Sequence, residues 1–320
     1  MQVIPLPHVA RRIDHLAIDA PAKRLFVAAL GNGSLEVLDV AAGTRITSVS
    51  GLNEPQGVAY LAQQHRVVVA MRGGSVAAFD DASWQRTATI PGLSDSDNLR
   101  WDAAAGQLYL GYGEGGLGVI DPSSMKVVAN IAVGAHPESF RLEENSPRVF
   151  VNVPDRHEIV VVDRKARSIL MHIPLPGFAD NYPMSLDESG HRLFVGVRNP
   201  AALLVFDTTS GKRIANVPCV GDTDDLFFDA RRNRVYVIGG EGYVDVFDAS
   251  PSPSPSPSPS PPPSPAAPAA PAAPGKLDRI AHVPTRIGAR TGLWSSDLDR
   301  LFIAWPARDG RDAEIHAYAP

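Results

Sequence analysis

A short pattern recurs seven times along the chain, and it consists of a basic or polar residue followed by three β-forming apolar residues. Short runs of such residues are typical of β-strands. The first apolar residues of the seven copies stand at positions 25, 67, 108, 149, 193, 235 and 301, so all steps but the last are 41 to 44 residues long. The copies are Arg24–Val27, Arg66–Val69, Gln107–Leu110, Arg148–Val151, Arg192–Val195, Arg234–Val237 and Arg300–Ile303.

A second marker follows the first in each repeat. It is an apolar segment that ends near an aspartate, and a turn and a further apolar segment follow it. The segments end at Asp39, Asp80, Asp121, Asp163, Asp207 and Asp248, and Tyr318 takes the same place without an acid. Four short strands in about 42 residues, repeated seven times, predict an all-β fold, a seven-bladed β-propeller with four antiparallel strands per blade. A β-sandwich is the alternative, but sandwiches lack such regular repetition.

The ends of the chain predict how the ring closes. The seventh repeat stops after its third strand, whereas Val3–Pro7 resembles Ile173–Pro176 at the end of the fourth repeat. We therefore expect the N-terminal strand to complete the last blade, which removes exposed sheet edges. On this interpretation residues 1–320 form one propeller domain.

One segment interrupts the sixth repeat. Residues 251–275 consist almost entirely of Pro, Ser and Ala, and their length accounts for the one long step in the spacing. Proline lacks the N–H donor of a strand, so we expect a disordered, extended insert between the third and fourth strands of blade six, on the face opposite the inter-blade loops. It is either a ligand for a proline-recognising module or a tolerated expansion of a surface turn.

Composition limits the partners and the compartment. The formal net charge is -5 without a Lys/Arg run, which argues against nucleic acid as the partner. No apolar stretch is long enough for a membrane span, and Cys219 is the single cysteine. The N-terminus lacks the pattern of a secretory signal, so the sequence as written predicts a cytoplasmic monomer. A missing leader would instead make the protein periplasmic or secreted.

Acidic residues recur near the start of each repeat's inner strand. We aligned these strands on the residue that ends them, namely Asp19, Leu61, Asp102, Glu143, Asp187, Asp229 and Asp297. Five positions upstream stand Asp14, Gln56, Asp97, Glu138, Tyr182, Asp224 and Gly292. Inner strands converge on the central channel, so we expect Asp14, Asp97, Glu138 and Asp224 to meet there and to offer oxygen ligands to Ca²⁺, Mg²⁺ or another divalent cation. Alternatively, they cap strands and hold ordered water. No other cofactor is evident.

Loops on the same face carry candidate ligand-binding side chains. They are Arg72, Tyr112, His136, Arg156, His157, Arg198, Arg290 and Trp305. Arginines above an acidic throat could orient an anionic substrate or a partner's side chains, and the alternative is that these charges are simply solvated. The histidines show no metal-binding spacing, and no nucleophile, phosphate-loop or haem motif is present.

The repeats resemble the YVTN family of bacterial propellers, also called YncE-like. The resemblance covers nearly the whole chain outside the insert and is carried by His136–Pro137, by the Arg-Leu-Phe-Val strands and by the Val-Phe-Asp endings. It implies a scaffold that binds an unidentified protein or small-molecule ligand at the channel mouth, without an evident catalytic motif. The acidic column is also similar to the metal-binding column of regucalcin/gluconolactonase propellers, which implies a metal-dependent lactonase or hydrolase as the alternative.

Overall fold

The computed structural model describes residues 1–250 and 277–320. In this part of the chain, seven four-stranded antiparallel sheets form the blades of a ring. The strands in chain order are β1 (Gln2–Leu6), β2 (Leu16–Asp19), β3 (Arg24–Ala29), β4 (Ser34–Asp39), β5 (Thr44–Ser50), β6 (Pro55–Leu61), β7 (Arg66–Met71), β8 (Ser75–Asp80), β9 (Arg86–Pro91), β10 (Leu99–Asp102), β11 (Gln107–Tyr112), β12 (Gly116–Asp121), β13 (Lys126–Ala132), β14 (Phe140–Leu142), β15 (Arg148–Val153), β16 (Glu158–Asp163), β17 (Ser168–Pro174), β18 (Ala179–Asp187), β19 (Arg192–Asn199), β20 (Ala201–Asp207), β21 (Arg213–Pro218), β22 (Thr223–Asp229), β23 (Arg234–Gly239), β24 (Tyr243–Asp248), β25 (Asp278–Pro284), β26 (Gly292–Ser295), β27 (Arg300–Trp305) and β28 (Ala313–Tyr318).

Blade one consists of β2 to β5, and each later blade takes the next four strands up to β25. The second and third strands of a blade are buried on both faces, because each blade is packed between two others. The fourth strand alternates between exposed and half-buried residues, as β5 does. The hydrophobic core therefore lies between blades; Phe26 and Val37 of blade one, for example, pack with Val67 and Val69 of blade two.

The predicted closure of the ring is confirmed. Blade seven has the strand order β26-β27-β28-β1, and β1 pairs antiparallel to β28 with Ile4 opposite Ile315. Ile4 and Leu6 are fully buried, whereas Val3, which precedes Ile4 in the same strand, is 40% exposed. The first strand of the chain is thus an integral strand of the last blade.

The arginine that opens the second strand of the repeat ties adjacent blades together. Arg24 pairs with Asp19 of its own blade at 2.8 Å and donates a 2.7 Å hydrogen bond to the Asp81 carbonyl oxygen of the next blade. The same arrangement joins Arg148 to Glu143 and Thr208, and Arg192 to Asp187 and Ala249. Part of the repeated sequence pattern is therefore structural.

Two details refine the sequence-based boundaries. The seventh inner strand ends at Ser295 and not at Asp297, because Ser295 pairs with Arg300 as Asp19 pairs with Arg24. Arg290, and not Gly292, is consequently the residue of blade seven that corresponds to Asp14.

The prediction of disorder for 251–275 lies outside the described residues. Within the described ranges, no helix is long and apolar enough to cross a membrane.

Candidate functional site

One residue from each blade stands at or near the start of the inner strand, five positions before Asp19 or its counterpart in the other blades. We call this set the mouth ring; it comprises Asp14, Gln56, Asp97, Glu138, Tyr182, Asp224 and Arg290. Backbone hydrogen bonds to the second strand hold its members: the Asp97 N–H donates to the Gly111 carbonyl at 3.0 Å, and the Glu138 N–H donates to the Asn152 carbonyl at 3.0 Å. The acidic side chains are therefore placed by the rigid part of each blade.

A close backbone approach fixes the position of Asp97. A Cβ atom on Gly57 of the neighbouring inner strand would lie 2.0 Å from the Asp97 carbonyl oxygen. Real side chains do not come so close, so glycine is required where the two strands meet. The backbone of Asp97 is thus pressed against blade two on one side, and its side chain faces the mouth.

Asp97, Glu138 and His136 form a compact cluster at the mouth. One ligand atom from each lies within 4.8 Å of the other two. The Nδ1 of His136 donates to the Gly113 carbonyl oxygen at 2.7 Å, since a carbonyl can only accept. The other ring nitrogen, Nε2, lies 4.0 Å from Glu138 Oε1 and carries a free lone pair in the neutral ring. This is how metal-binding histidines are usually oriented.

The electrostatics of this cluster favour a compensating cation. Burial raises the pKa of Glu138 well above its usual range, and the negative charges of Asp97 and Asp224 add to that rise. Burial also raises the pKa of Asp97, although the charge of His15 opposes the shift. Asp97 is 4% exposed, and its Oδ1 accepts no hydrogen bond from the described residues. Two such carboxyl groups either share a proton or bind a metal ion.

Asp14 and Asp224 are the other two acids of the predicted metal set, and they contact arginines. Arg12 Nη2 lies 3.2 Å from Asp14 Oδ2 and 3.4 Å from Asp224 Oδ2, so it bridges them. Arg198 also pairs with Asp224. Burial nevertheless raises the pKa of Asp224 to about 6, against the influence of both arginines. These carboxylates are largely neutralised by the chain's own cations.

His15 occupies the centre of this acidic region, and sequence reasoning had given it no role. Its Nδ1 lies 3.3 Å from Asp225 Oδ2, and its Nε2 lies 3.6 Å from Asp97 Oδ1 and 3.9 Å from Asp14 Oδ1. Burial alone would lower the pKa of this imidazole, but Asp225, Asp14 and Asp97 together raise it to about 10. His15 is therefore a cation at neutral pH. Its position directly after Asp14 was the only signal in the sequence.

The predicted arginines Arg198 and Arg290 meet on one side of the mouth. Arg290 forms a bidentate pair with Asp222, at 2.9 Å and 2.8 Å. Arg198 lies 3.6 Å from the same carboxylate and stacks over the ring of Tyr182, 4.1 Å from its centroid. Planar guanidinium groups held in this way are rigid. Together with Asp222 and Asp224 they form one cluster of ion pairs.

The structure distributes the remaining candidates over separate places. Arg72 pairs with Asp95 at 3.2 Å at the rim of the mouth, close to His136. Tyr112 donates to Asn130 within blade three, and Trp305 stacks on His316 in blade seven. Arg156 and His157 line a surface groove with Phe178, between blades four and five. These last four side chains do not converge with the mouth ring.

Comparisons with known proteins bear on the fold alone. No family model matches the chain, and no curated protein matches it. A chain of the solved structure "Kuenenia stuttgartiensis Hydrazine Synthase" superposes with a TM-score of 0.79 at 14% identity, covering 98% of both chains. A chain of "Crystal Structure of Mitotic Checkpoint Complex" superposes with a TM-score of 0.75 at 12% identity, covering 98% of this chain and 90% of that one. These likenesses identify a propeller and assign it no activity.

Proposed function

We propose that the protein is a ligand-binding propeller of the YncE-like kind, whose site is the mouth of the central channel. The site is built around a divalent cation that Asp97, His136 and Glu138 hold. The observation that carries this proposal is the oriented imidazole: the Gly113 carbonyl fixes the His136 tautomer and leaves Nε2 4.0 Å from Glu138 Oε1, in a cluster that also contains the buried Asp97. A ligand would bind in the remaining coordination positions or against the guanidinium groups of Arg198 and Arg290.

The donor set favours some cations over others. Ca²⁺ prefers six to eight oxygen ligands, and an imidazole is a poor substitute for one of them. Two carboxylates with one imidazole suit Mn²⁺, Fe²⁺ or Zn²⁺ better. This preference differs from the Ca²⁺ or Mg²⁺ expected when oxygen ligands were sought in one sequence column. Arg12 and Arg198 leave Asp14 and Asp224 less available as ligands.

Binding of a protein partner fits the same face. A propeller mouth is rigid, and the charged side chains of several blades point into one opening. One of the structural neighbours comes from a structure whose title names a complex, the mitotic checkpoint complex. Because that likeness is one of fold, it supports a binding role for this architecture and does not identify the partner.

A metal-dependent lactonase or hydrolase is the second candidate. The observation that favours it is the small number of ligands: three side chains leave coordination positions for a water molecule and a substrate oxygen. Catalytic zinc sites have this open arrangement. Turnover of lactone and ester substrates by the Mn²⁺- or Zn²⁺-loaded protein, lost in Glu138→Gln, would support it. Metal binding without turnover would leave the binding function alone.

The proposal is tested by thermal unfolding with and without metal. After EDTA treatment, Mn²⁺ or Zn²⁺ should raise the Tm of the wild-type protein, because a ligand that binds only the native state stabilises it. Glu138→Gln should remove that response. Its own Tm without metal should equal or exceed that of the wild type, since the Asp97–Glu138 repulsion is relieved.

The matched control is Asp155→Asn, which neutralises an exposed carboxylate on the same face but outside the cluster. It should keep the full metal response. Equal responses in wild type, Glu138→Gln and Asp155→Asn would show that the metal binds elsewhere. An absent response in the wild type would overturn the proposed cation site.

A further inference from the structure

A second ring of side chains lies deeper in the channel, three residues beyond the mouth ring on each inner strand. We call it the channel ring; its members are Ala17, Ala59, Arg100, Arg141, Ser185, Phe227 and Leu293. Blades three and four both contribute arginine to it, and their inner strands are neighbours. The channel therefore changes from acidic at the mouth to cationic inside.

The two channel arginines have only neutral hydrogen-bond acceptors. Arg100 donates to the Leu99 carbonyl at 2.7 Å and to Asn98 Oδ1 at 2.8 Å. Arg141 donates to the Phe140 carbonyl at 3.2 Å. Among residues 1–250 and 277–320, no carboxylate forms an ion pair with either guanidinium. The mouth arginines differ in this respect, since Arg12, Arg198 and Arg290 are all paired with aspartates.

These unpaired charges are costly to the free protein. Both side chains are half-buried, because the channel itself is open, but the surrounding protein still lowers the pKa of Arg100 by desolvation. Desolvation lowers the pKa of Arg141 further, and the nearby charge of Arg100 adds to this shift. A guanidinium remains protonated in spite of such shifts. Two like charges thus lie near one another on the wall of the channel, and each raises the cost of the other.

The space between them is large enough for a small molecule. A cavity of about 310 Å³ is lined by both arginines and, on other blades, by Tyr60, Phe227 and Leu293. Its one carboxylate, Asp225, already accepts from His15 and from the Gly292 N–H at 3.0 Å. The cavity thus combines an apolar wall with two guanidinium groups that form no ion pair in the described part of the chain, which is the usual construction of a small-ligand site.

We propose that the channel ring binds a small oxyanion, a phosphate or carboxylate group, between Arg100 and Arg141, with any apolar part of the ligand against Phe227 and Leu293. Guanidinium forks match the geometry of both groups bidentately. This site is distinct from the cation site at the mouth and does not depend on it. Its test is therefore carried out in EDTA.

The test is calorimetric titration of the EDTA-treated protein with inorganic phosphate, phenyl phosphate and benzoate at constant ionic strength. At least one of them should bind saturably, and phenyl phosphate should bind more tightly than inorganic phosphate because it also covers the apolar wall. Comparison of phenyl phosphate with benzoate distinguishes a phosphate ligand from a carboxylate ligand. Arg141→Gln should raise the Kd by about tenfold or more, since the substitution removes charge-assisted hydrogen bonds to the anion.

Arg86→Gln is the matched control, because Arg86 is exposed on an outer strand. It should bind the anions as the wild type does. Without ligand, Arg141→Gln should unfold at the same temperature as the wild type or a higher one, whereas a purely structural arginine would leave a less stable protein when removed. Arg100→Gln provides the second variant if Arg141→Gln fails to fold. No saturable binding of any probe to the wild type, or undiminished binding in both channel variants, would overturn the proposal.

Discussion

His15 shows how strongly a single residue of the mouth depends on its neighbours. Its two ring nitrogens face Asp225, Asp97 and Asp14, and these carboxylates raise the pKa of the imidazole to about 10 although burial acts in the opposite direction. The charged ring in turn offsets part of the repulsion within the mouth ring. The proton on His15 is thus part of the folded structure.

This leads to a prediction about stability at alkaline pH. The folded pKa of about 10 exceeds the unfolded value of 6.5, so the native state binds the extra proton between these two values. The stabilisation is complete below pH 6.5 and is lost as the pH rises through 10. The free energy of unfolding should therefore fall by up to about 1.4 kcal/mol per pH unit in this window. Urea unfolding of the wild type and of His15→Asn at pH 7, 8 and 9 measures this effect. The contribution of His15 should give the wild type a slope of up to about 1.4 kcal/mol per pH unit and the variant a slope of about 0.

His65→Asn is the control for this experiment, because His65 has an exposed side chain on a turn of blade two. It should keep the wild-type slope. A His15→Asn variant with the same pH dependence as the wild type would show that His15 is not charged in the native state.

At the scale of single strands, the arginines that tie one blade to the next carry much of the repeat's sequence signal. Arg192 is among the most buried of them: it pairs with Asp187 at 2.7 Å, donates to the Ala249 carbonyl, and lies over the rings of Phe194 and Phe228. Asp187 is 5% exposed and would lose its charged partner if Arg192 were truncated. Arg192 therefore stabilises the contact between blades five and six as well as its own blade.

We expect Arg192→Ala to lower the free energy of unfolding by about 3 kcal/mol, because it leaves a buried carboxylate unpaired. The equivalent residue of blade six, Arg234, forms no such ion pair among the described residues, so Arg234→Ala should cost less than about 1 kcal/mol. Chemical denaturation of the two variants measures the difference. Equal losses of unfolding free energy in the two variants would mean that the ion pair and hydrogen bond of Arg192 between the blades add nothing to stability.

The regularity of the strands decides which of them the sequence could predict and which it could not. Second strands such as β3 carry a run of apolar residues after an arginine, and third strands such as β4 end at an aspartate, so the spacing of these two markers revealed the seven blades. Inner strands are less regular: β2, β10, β14 and β26 have only three or four residues, and register shifts interrupt the longer β6, β18 and β22, for example between Thr223 and Asp225. The blade-seven alignment was wrong by two residues because the four-residue strand β26 has too short a hydrophobic pattern to fix its end.

The candidate site shows the same limit. Asp97 and Glu138 were found because they occupy the same position in consecutive repeats. His136 comes beside them from a different position, and it does so because the Gly113 turn of blade three orients its ring. Arg100 and Arg141 were missed because they stand in a different column of the inner strand, where the other five blades carry no charged residue. Contacts between columns of adjacent blades require the three-dimensional packing.

At the scale of the whole molecule, the ring is closed by one strand from the chain's beginning. Ile4 and Leu6 of β1 are fully buried in the core that blade seven shares with blade one. If closure is needed for the stability of the whole ring, a defect in β1 should destabilise every blade together rather than fray one end.

We expect Ile4→Ala to lower the free energy of unfolding by about 3 kcal/mol in a single cooperative transition, as is usual for a buried isoleucine. Val3→Ala, at a 40% exposed position of the same strand, should change it by less than about 0.5 kcal/mol. Deletion of residues 1–8 should be far more damaging than either substitution. Calorimetric unfolding tests this, and a local loss of β1 without a change in the main transition would contradict the closure argument.

The central functional claim is that Asp97, His136 and Glu138 hold a divalent cation at the channel mouth. The most direct measurement is an anomalous difference map from crystals grown with Mn²⁺. The account predicts a single strong peak at the mouth, in contact with the two carboxylates and with Nε2 of His136, that disappears in Glu138→Gln crystals. A map without a peak at this position, or with a peak between Asp14 and Asp224 instead, would contradict it.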